Sequence, residues 1–274
     1  MNIYRENIEN DQHFKVPFQL EGQSTKYLKL LSCNFRDQVS RVVVKNGWKA
    51  YECPLPLLIS KASCKSKTTF LDIGANTGYY SLLSAFSGAS EIRAFEPVPF
   101  IAEIVEENIR LNQPISNTIS LHRIAISDED KDAKIYMPED KHGLIETSAS
   151  LNRSFRQNHS GEFKVTCKKL DSHLESYPLN DCQRLVIKID VESLEPEVLV
   201  GAKATITKNR PLIFLEILPQ TNLSFFYEWA YRNSYLHALL LPPNKISKTR
   251  TIEGSLTTRD HLFYPEEKPL QDWL

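Results

Sequence analysis

No two cysteines in this chain have Cys-x-x-Cys spacing, and the five present (Cys33, Cys53, Cys64, Cys167 and Cys182) are odd in number. That excludes a fully paired disulfide frame and the usual zinc knuckle, and it fits a reducing, cytoplasmic setting. No run of eighteen apolar residues occurs, so no membrane-spanning helix is expected. The N-terminal stretch MNIYRENIENDQHF is polar and lacks the apolar segment of a secretory leader, so none is expected. A basic excess is missing too. Lys and Arg number 33 against 34 Asp and Glu, a formal net charge of −1, which gives no global signature for nucleic acid. Glycine is sparse, at nine in 274 residues, so two glycines four residues apart stand out.

Those two are Gly74 and Gly78, in TTFLDIGANTGYY at 68–80. Phe70, Leu71 and Ile73 make a short β-rich run broken by Asp72. Gly74, Ala75, Asn76, Thr77 and Gly78 form a turn, and YYSLLSAFSG continues at helical spacing. Strand, glycine turn and helix open a nucleotide-binding α/β unit. Gly-x-Gly-x-x-Gly is not satisfied, because Asn76 and Tyr79 stand at its second and third glycines, and no Gly-Lys-Ser/Thr follows. A dinucleotide and a P-loop nucleotide are thereby disfavoured, and a nucleoside without phosphates suits the turn. The next strand, SEIRAF, ends in Glu96-Pro97, and Glu96 lies 18 residues beyond Gly78, where an acid can accept hydrogen bonds from ribose hydroxyls.

Elsewhere the chain alternates strands and helices. RVVVKNGWKAYE places Asn46-Gly47 between two β-rich runs and predicts a hairpin in an N-terminal cap, residues 1–66, before a main domain at 67–274. Ile101, Ile104, Val105 and Ile109 predict an amphipathic helix, and residues 119–127 read as a third strand. The end of that strand, 125–128, falls where open α/β sheets bind ligands. Two strands flank a polar insertion at 138–161, which holds His142 and is long for a structureless loop. Asp171 reads as a helix N-cap. RLVIKIDVE at 184–192 has the apolar pattern of a central strand, entered at period two by Lys188, Asp190 and Glu192. Buried charges are costly unless paired. The three therefore mark either a site or a structural ion pair, Lys188–Asp190 or Lys188–Glu216. PLIFLEI carries Glu216 near its end, an aromatic helix follows, and YLHALLLPP and RDHLFYP read as the last two strands, joined by a polar, basic connection. The count is seven core strands.

DIGANTGYYS, AFEP, IAISDEDKDAKIYM, KKLDSHL, VIKIDVESLEPEVLVGA and PLIFLEI resemble, in register, the FkbM-type family of S-adenosylmethionine-dependent methyltransferases. One departure is Ser193, where that family usually has Gly. The resemblance implies a Rossmann-like class I fold, a seven-stranded, mostly parallel sheet with helices on both faces. It also implies S-adenosylmethionine as cofactor, with Asp72, the turn from Gly74 to Gly78, Glu96, Pro97 and Asp190 around it and Ser127 and Asp128 by the adenine. The acceptor it implies is a hydroxyl on a small molecule, such as a sugar or a glycosylated or polyketide-like metabolite. No Asn/Asp-Pro-Pro-aromatic block follows the fourth core strand, which argues against base or amide methylation.

An alcohol acceptor must lose its proton to a general base or to a metal that lowers its pKa. Asp190 and Glu216, at neighbouring strand ends, are candidate oxygen ligands for Mg²⁺. Without a metal, Glu192 or His142 is the candidate base. A non-catalytic cofactor-binding scaffold of the same fold stands as the alternative.

Overall fold

A computed structural model describes residues 13–33, 36–139, 148–155, 158–180 and 182–274. It opens on an antiparallel hairpin, β1 (His13–Phe18) and β2 (Lys26–Leu31), which buries Val16, Phe18, Leu28 and Leu30. The cap hairpin thus exists, but not at Asn46-Gly47. There the chain is helix α1 (Gln38–Asn46), with Val39 and Val43 one turn apart on its buried side. Asp37 starts it by accepting hydrogen bonds from the Val39 and Ser40 amides at 3.1 and 2.7 Å, and Gly47 at φ 88° ends it. Glycine marks a helix end as readily as a hairpin turn. Helix α2 (Leu55–Ser63) completes the cap. Phe18 packs tilted against Trp48 and edge-to-face against Phe86, at ring distances of 4.5 and 5.6 Å, and one apolar cluster joins Phe18, Val43 and Ile59 to Phe70, Phe86 and Trp273. Cap and sheet therefore share a core.

The sheet is built from β3 (Thr68–Ile73), helix α3 (Tyr79–Ser87), β4 (Glu91–Phe95), helix α4 (Pro99–Leu111) and β5 (Ile119–His122). The next strands are the short β6 (Ala125–Ile126) and the longer β7 (Lys131–Pro138) and β8 (His159–Lys168), which form a separate three-stranded sheet in the order β6-β8-β7. The expected strand at 119–127 is therefore two, divided between sheets after His122. Then come α5 (Leu170–Ser176), β9 (Arg184–Ile189), α6 (Glu195–Gly201), α7 (Lys203–Asn209), β10 (Leu212–Glu216), α8 (Leu223–Asn233), β11 (Tyr235–Leu241), β12 (Lys245–Lys248) and β13 (Asp260–Pro265). Asp171 lies inside α5 rather than capping it. Its carboxylate instead accepts from the Ala204 and Thr205 amides at 2.7 and 2.8 Å, at the start of α7.

The main sheet runs β12-β11-β13-β10-β9-β3-β4-β5, parallel from β10 to β5, with β13 antiparallel between β10 and β11. This is the class I methyltransferase topology with an eighth strand at one edge. That strand, β12, lies in the polar connection, and an edge strand can stay short and charged. The central strands are buried on both faces. Phe70, Val186 and Phe214 face the cluster shared with the cap, while Leu71, Ile187 and Ile213 face a second cluster with Val198, Ile206 and Phe226.

Candidate functional site

The glycine turn after β3 is fixed from two sides. The Gly74 and Ala75 amides donate to the Phe95 carbonyl at 3.1 and 3.0 Å. The Asp190 amide donates to the Ile73 carbonyl at 3.1 Å, which draws the end of β9 against the turn. Gly74 sits at φ +78°, and a Cβ there would lie 1.9 Å from the Asp190 carbonyl oxygen. Its glycine is thus required by the neighbouring strand end. Glu96, at the tip of β4, accepts from the Asn76 amide at 3.0 Å and from the Val98 amide at 2.9 Å. The acid expected to meet a ribose is therefore held by the glycine turn itself.

Over the carboxyl ends of β3, β4, β9 and β10 lies a cavity of about 330 Å³. Gly74, Asn76, Glu96, Pro97, Asp190, Glu192 and Glu216, all candidate site residues of the sequence, line it. The cap adds Tyr51 and Glu52, and the turn before β13 adds Arg259. Five carboxylates thus face the cavity against one lining cation among the described residues, Arg259. Its guanidinium bridges Glu52 at 2.9 Å and Glu216 at 3.1 Å. Burial pushes the Glu96 carboxyl up to about 8. Burial, with Asp190 and Glu192 nearby, pushes Glu216 well above the usual range.

Other expected residues take different places. Asp72 is fully buried, away from the cavity lining, and accepts from the Ser81 hydroxyl at 2.6 Å. Ala75, Thr77 and Gly78 also stand off the lining. Beyond β5 the wall is made by Ile124, Ala125 and Ile126 rather than by Ser127 and Asp128. The Ser127 carbonyl instead packs against Gly201, where a Cβ would approach to 1.9 Å. The expected period-two row of Lys188, Asp190 and Glu192 breaks because β9 stops at Ile189. Glu192 and Ser193 then turn with φ +58° and +78°. Glu195, buried and pushed up to about 8 by that burial, accepts from the Val191 and Ser193 amides at 3.1 and 3.2 Å and holds this turn.

Of the two ion pairs open from the sequence, Lys188–Asp190 forms, at 3.0 Å, while Glu216 pairs with Arg259. This leaves the metal expectation without support. Asp190 and Glu216 each already hold a cation, and among the described residues no group of three or more His, Cys, Asp or Glu could hold a metal ion. His142 lies outside the described residues. Tyr51, Glu52 and Arg259 escape the sequence reading because they stand at the ends of runs read as strands, RVVVKNGWKAYE and RDHLFYP, whereas they sit in turns outside any strand.

The model for the FkbM methyltransferase domain matches residues 72–239. A curated relative, the methyltransferase sdnD of Sordaria araneosa, is 28% identical over 161 residues, covering 51% of this chain and 62% of that protein. The chain thus spans less than two thirds of that relative's length. Among solved structures, an FkbM methyltransferase from Methylobacillus flagellatus KT aligns over 72% of this chain and 43% of its own, at 14% identity and a TM-score of 0.45. The precorrin-6y C5,15-methyltransferase of Geobacter metallireducens GS-15 aligns over 76% and 86%, at 11% identity and a TM-score of 0.41. The family match begins in β3, crosses the glycine turn and the acid-bearing ends of β4, β9 and β10, and reaches β11, which is more than half of the sequence. The chain belongs to the FkbM methyltransferase family.

Proposed function

We propose that the protein is an S-adenosylmethionine-dependent O-methyltransferase acting on a hydroxyl of a small molecule, such as a sugar or a glycosylated or polyketide-like metabolite. The observation that carries this reading is the acidic cavity over the strand ends, with five carboxylates around the glycine turn. A cavity of this size is in the range of small-ligand sites. Its charge suits a ligand that carries a sulfonium and an ammonium group. When bound, such a cofactor supplies an electrophilic methyl group on positively charged sulfur.

The residues of the chain then divide the remaining work. Glu96 has both carboxylate oxygens anchored by amides, yet each keeps a lone pair for ribose hydroxyls. Asp190, anchored by Lys188, and Glu192 follow β9, on the other side of β3 from Glu96, and both suit the cationic end of the cofactor. Ordering the acceptor oxygen beside the methyl is the main catalytic task. No step is assigned to Mg²⁺, because its two candidate ligands are already cation-paired.

Titration calorimetry with S-adenosylmethionine and S-adenosylhomocysteine tests the reading. We expect micromolar binding of both in folded protein, and absence of binding to either would remove it. Binding of both without methyl transfer across a broad panel of alcohols would favour the scaffold alternative.

A further inference from the structure

A second cavity, of about 380 Å³, adjoins the first at Glu52 and Arg259. It shares Gln38, Tyr51, Glu52 and Arg259 with the first. The two cavities therefore meet at these four residues. Resting on the methyl-transfer reading above, we propose that the second cavity takes the acceptor, a neutral alcohol with one apolar face, and that Glu52 receives its hydroxyl proton.

The lining argues for the class of acceptor. Gln38, Thr257 and Thr258 offer an amide and two hydroxyls, while Val42, Leu240 and Leu256 offer apolar surface. Leu256 is 76% exposed at this cavity, so a large apolar side chain stands open to a ligand. Ionic lining is limited to Glu52, Arg259 and Asp260. Arg259 is already held by two carboxylates. No uncommitted cation is left among the described lining residues to attract an anionic acceptor. Cyclic polyols, apolar on one face and hydroxylated at the rim, fit this surface.

The placement of Glu52 argues for its role. Its backbone is held in the left-handed region at φ +50°. Its side chain, only 10% exposed, is clamped by the Tyr80 hydroxyl at 2.8 Å and by Arg259 at 2.9 Å. Strain of this kind persists where the surroundings over-determine it and gathers at functional sites. The charged groups around it are Asp190 and Lys188 at the end of β9, and Arg259, followed by Asp260, at the start of β13; Tyr51 and Tyr80 adjoin it. Burial and Asp190 raise its carboxyl, against Lys188 and Arg259. In the transfer, the acceptor O–H proton passes to the Glu52 carboxylate. The oxygen lone pair forms the new C–O bond with the methyl carbon of the sulfonium donor. The C–S bond breaks with its electron pair left on sulfur, and Glu52 then releases the proton to water.

The test uses the whole protein saturated with S-adenosylhomocysteine, and neutral methyl glycosides and cyclohexane-1,2-diol as probes in saturation-transfer NMR. Neutral probes should bind and hexuronates should not. Thr258→Trp, which fills the cavity, and Leu256→Asp, at an exposed position, should each weaken the neutral probes roughly tenfold or more while leaving cofactor affinity within about twofold. Probe affinity should fall on acidification as Glu52 protonates, and Glu52→Gln should abolish that dependence. For any probe that is methylated, Glu52→Gln should lower the rate by roughly 10²–10⁴-fold. Absence of neutral-probe binding, or binding that both cavity variants leave intact, overturns the acceptor site. A pH dependence that survives in Glu52→Gln, or a rate it does not lower, overturns the role of Glu52. Loss of cofactor binding in the wild-type protein would instead overturn the methyl-transfer reading itself.

Discussion

Replacing Gly74 with Ala should separate two costs that the structure makes distinct. The first is conformational. At φ +78°, an alanine pays the left-handed penalty of roughly 1–2 kcal/mol. The second is steric. The new Cβ would lie 1.9 Å from the carbonyl oxygen of Asp190, a backbone atom that no rotamer change can remove. The ends of β3 and β9 must part, and the 3.1 Å Asp190–Ile73 hydrogen bond lengthens with them. Overpacking of this kind costs roughly a further 1–3 kcal/mol. Together these give about 2–5 kcal/mol, which for a chain of this size lowers Tm by on the order of 10 °C. Gly88→Ala is the control. Gly88, which ends α3, is also left-handed, at φ +107°, but nothing lies within 4 Å of its Cβ, so it incurs only the conformational cost. Scanning calorimetry of both variants reads the difference. Titration of S-adenosylmethionine should also show affinity lost by roughly tenfold or more in Gly74→Ala, because Asp190 and Asn76 move apart. If Gly74→Ala melts within about 2 °C of Gly88→Ala and binds as wild type, the close approach of the two strand ends is wrong.

Ser193→Gly should stabilise the protein by about 1 kcal/mol in urea denaturation, because φ +78° suits glycine and the buried Ser193 hydroxyl has no hydrogen-bond partner; a loss of stability would contradict that turn. Lys188→Met removes a buried cation from among Asp190, Asp72 and Glu52 and should cost roughly 3–5 kcal/mol, with partial recovery in the Lys188→Met/Asp190→Asn double variant. Glu96 and Glu195 hold their protons up to about pH 8 when folded, while the unfolded chain releases them near 4.5. Between those values the folded state binds more protons, so these two groups make stability fall as pH rises from about 5 to 8. Denaturation at both ends of that range should show the slope, and Glu96→Gln and Glu195→Gln should each flatten it. A cationic ligand favours ionised carboxylates, so S-adenosylmethionine binding at pH 7 should release protons, seen as calorimetric heats that vary with the buffer's ionisation enthalpy.

What the sequence discloses and what it hides divides along the range of the interactions. The runs at 68–73 and 184–189 are legible because burial on both faces forces a largely apolar, β-rich pattern, interrupted by Asp72 and Lys188, and the glycine turn because its φ angles exclude most other residues. Asn46-Gly47 misleads because a helix end and a hairpin ask for the same residue. The true cap hairpin is blurred by Pro17 within β1 and by lysines along both strands. The ion pairs of the site are the least legible. Glu52 and Arg259 lie 207 residues apart, so no local spacing relates them. Glu216 meets Arg259 because β13 inserts antiparallel beside β10 in a register that pairs Glu216 with Asp260, which brings the preceding residue to the same strand end. From the sequence alone, two carboxylates at adjacent strand ends resemble a divalent-ion site. The register of β13 delivers a guanidinium there instead, and through its second contact, to Glu52, it ties the cap to the carboxyl ends of the sheet strands.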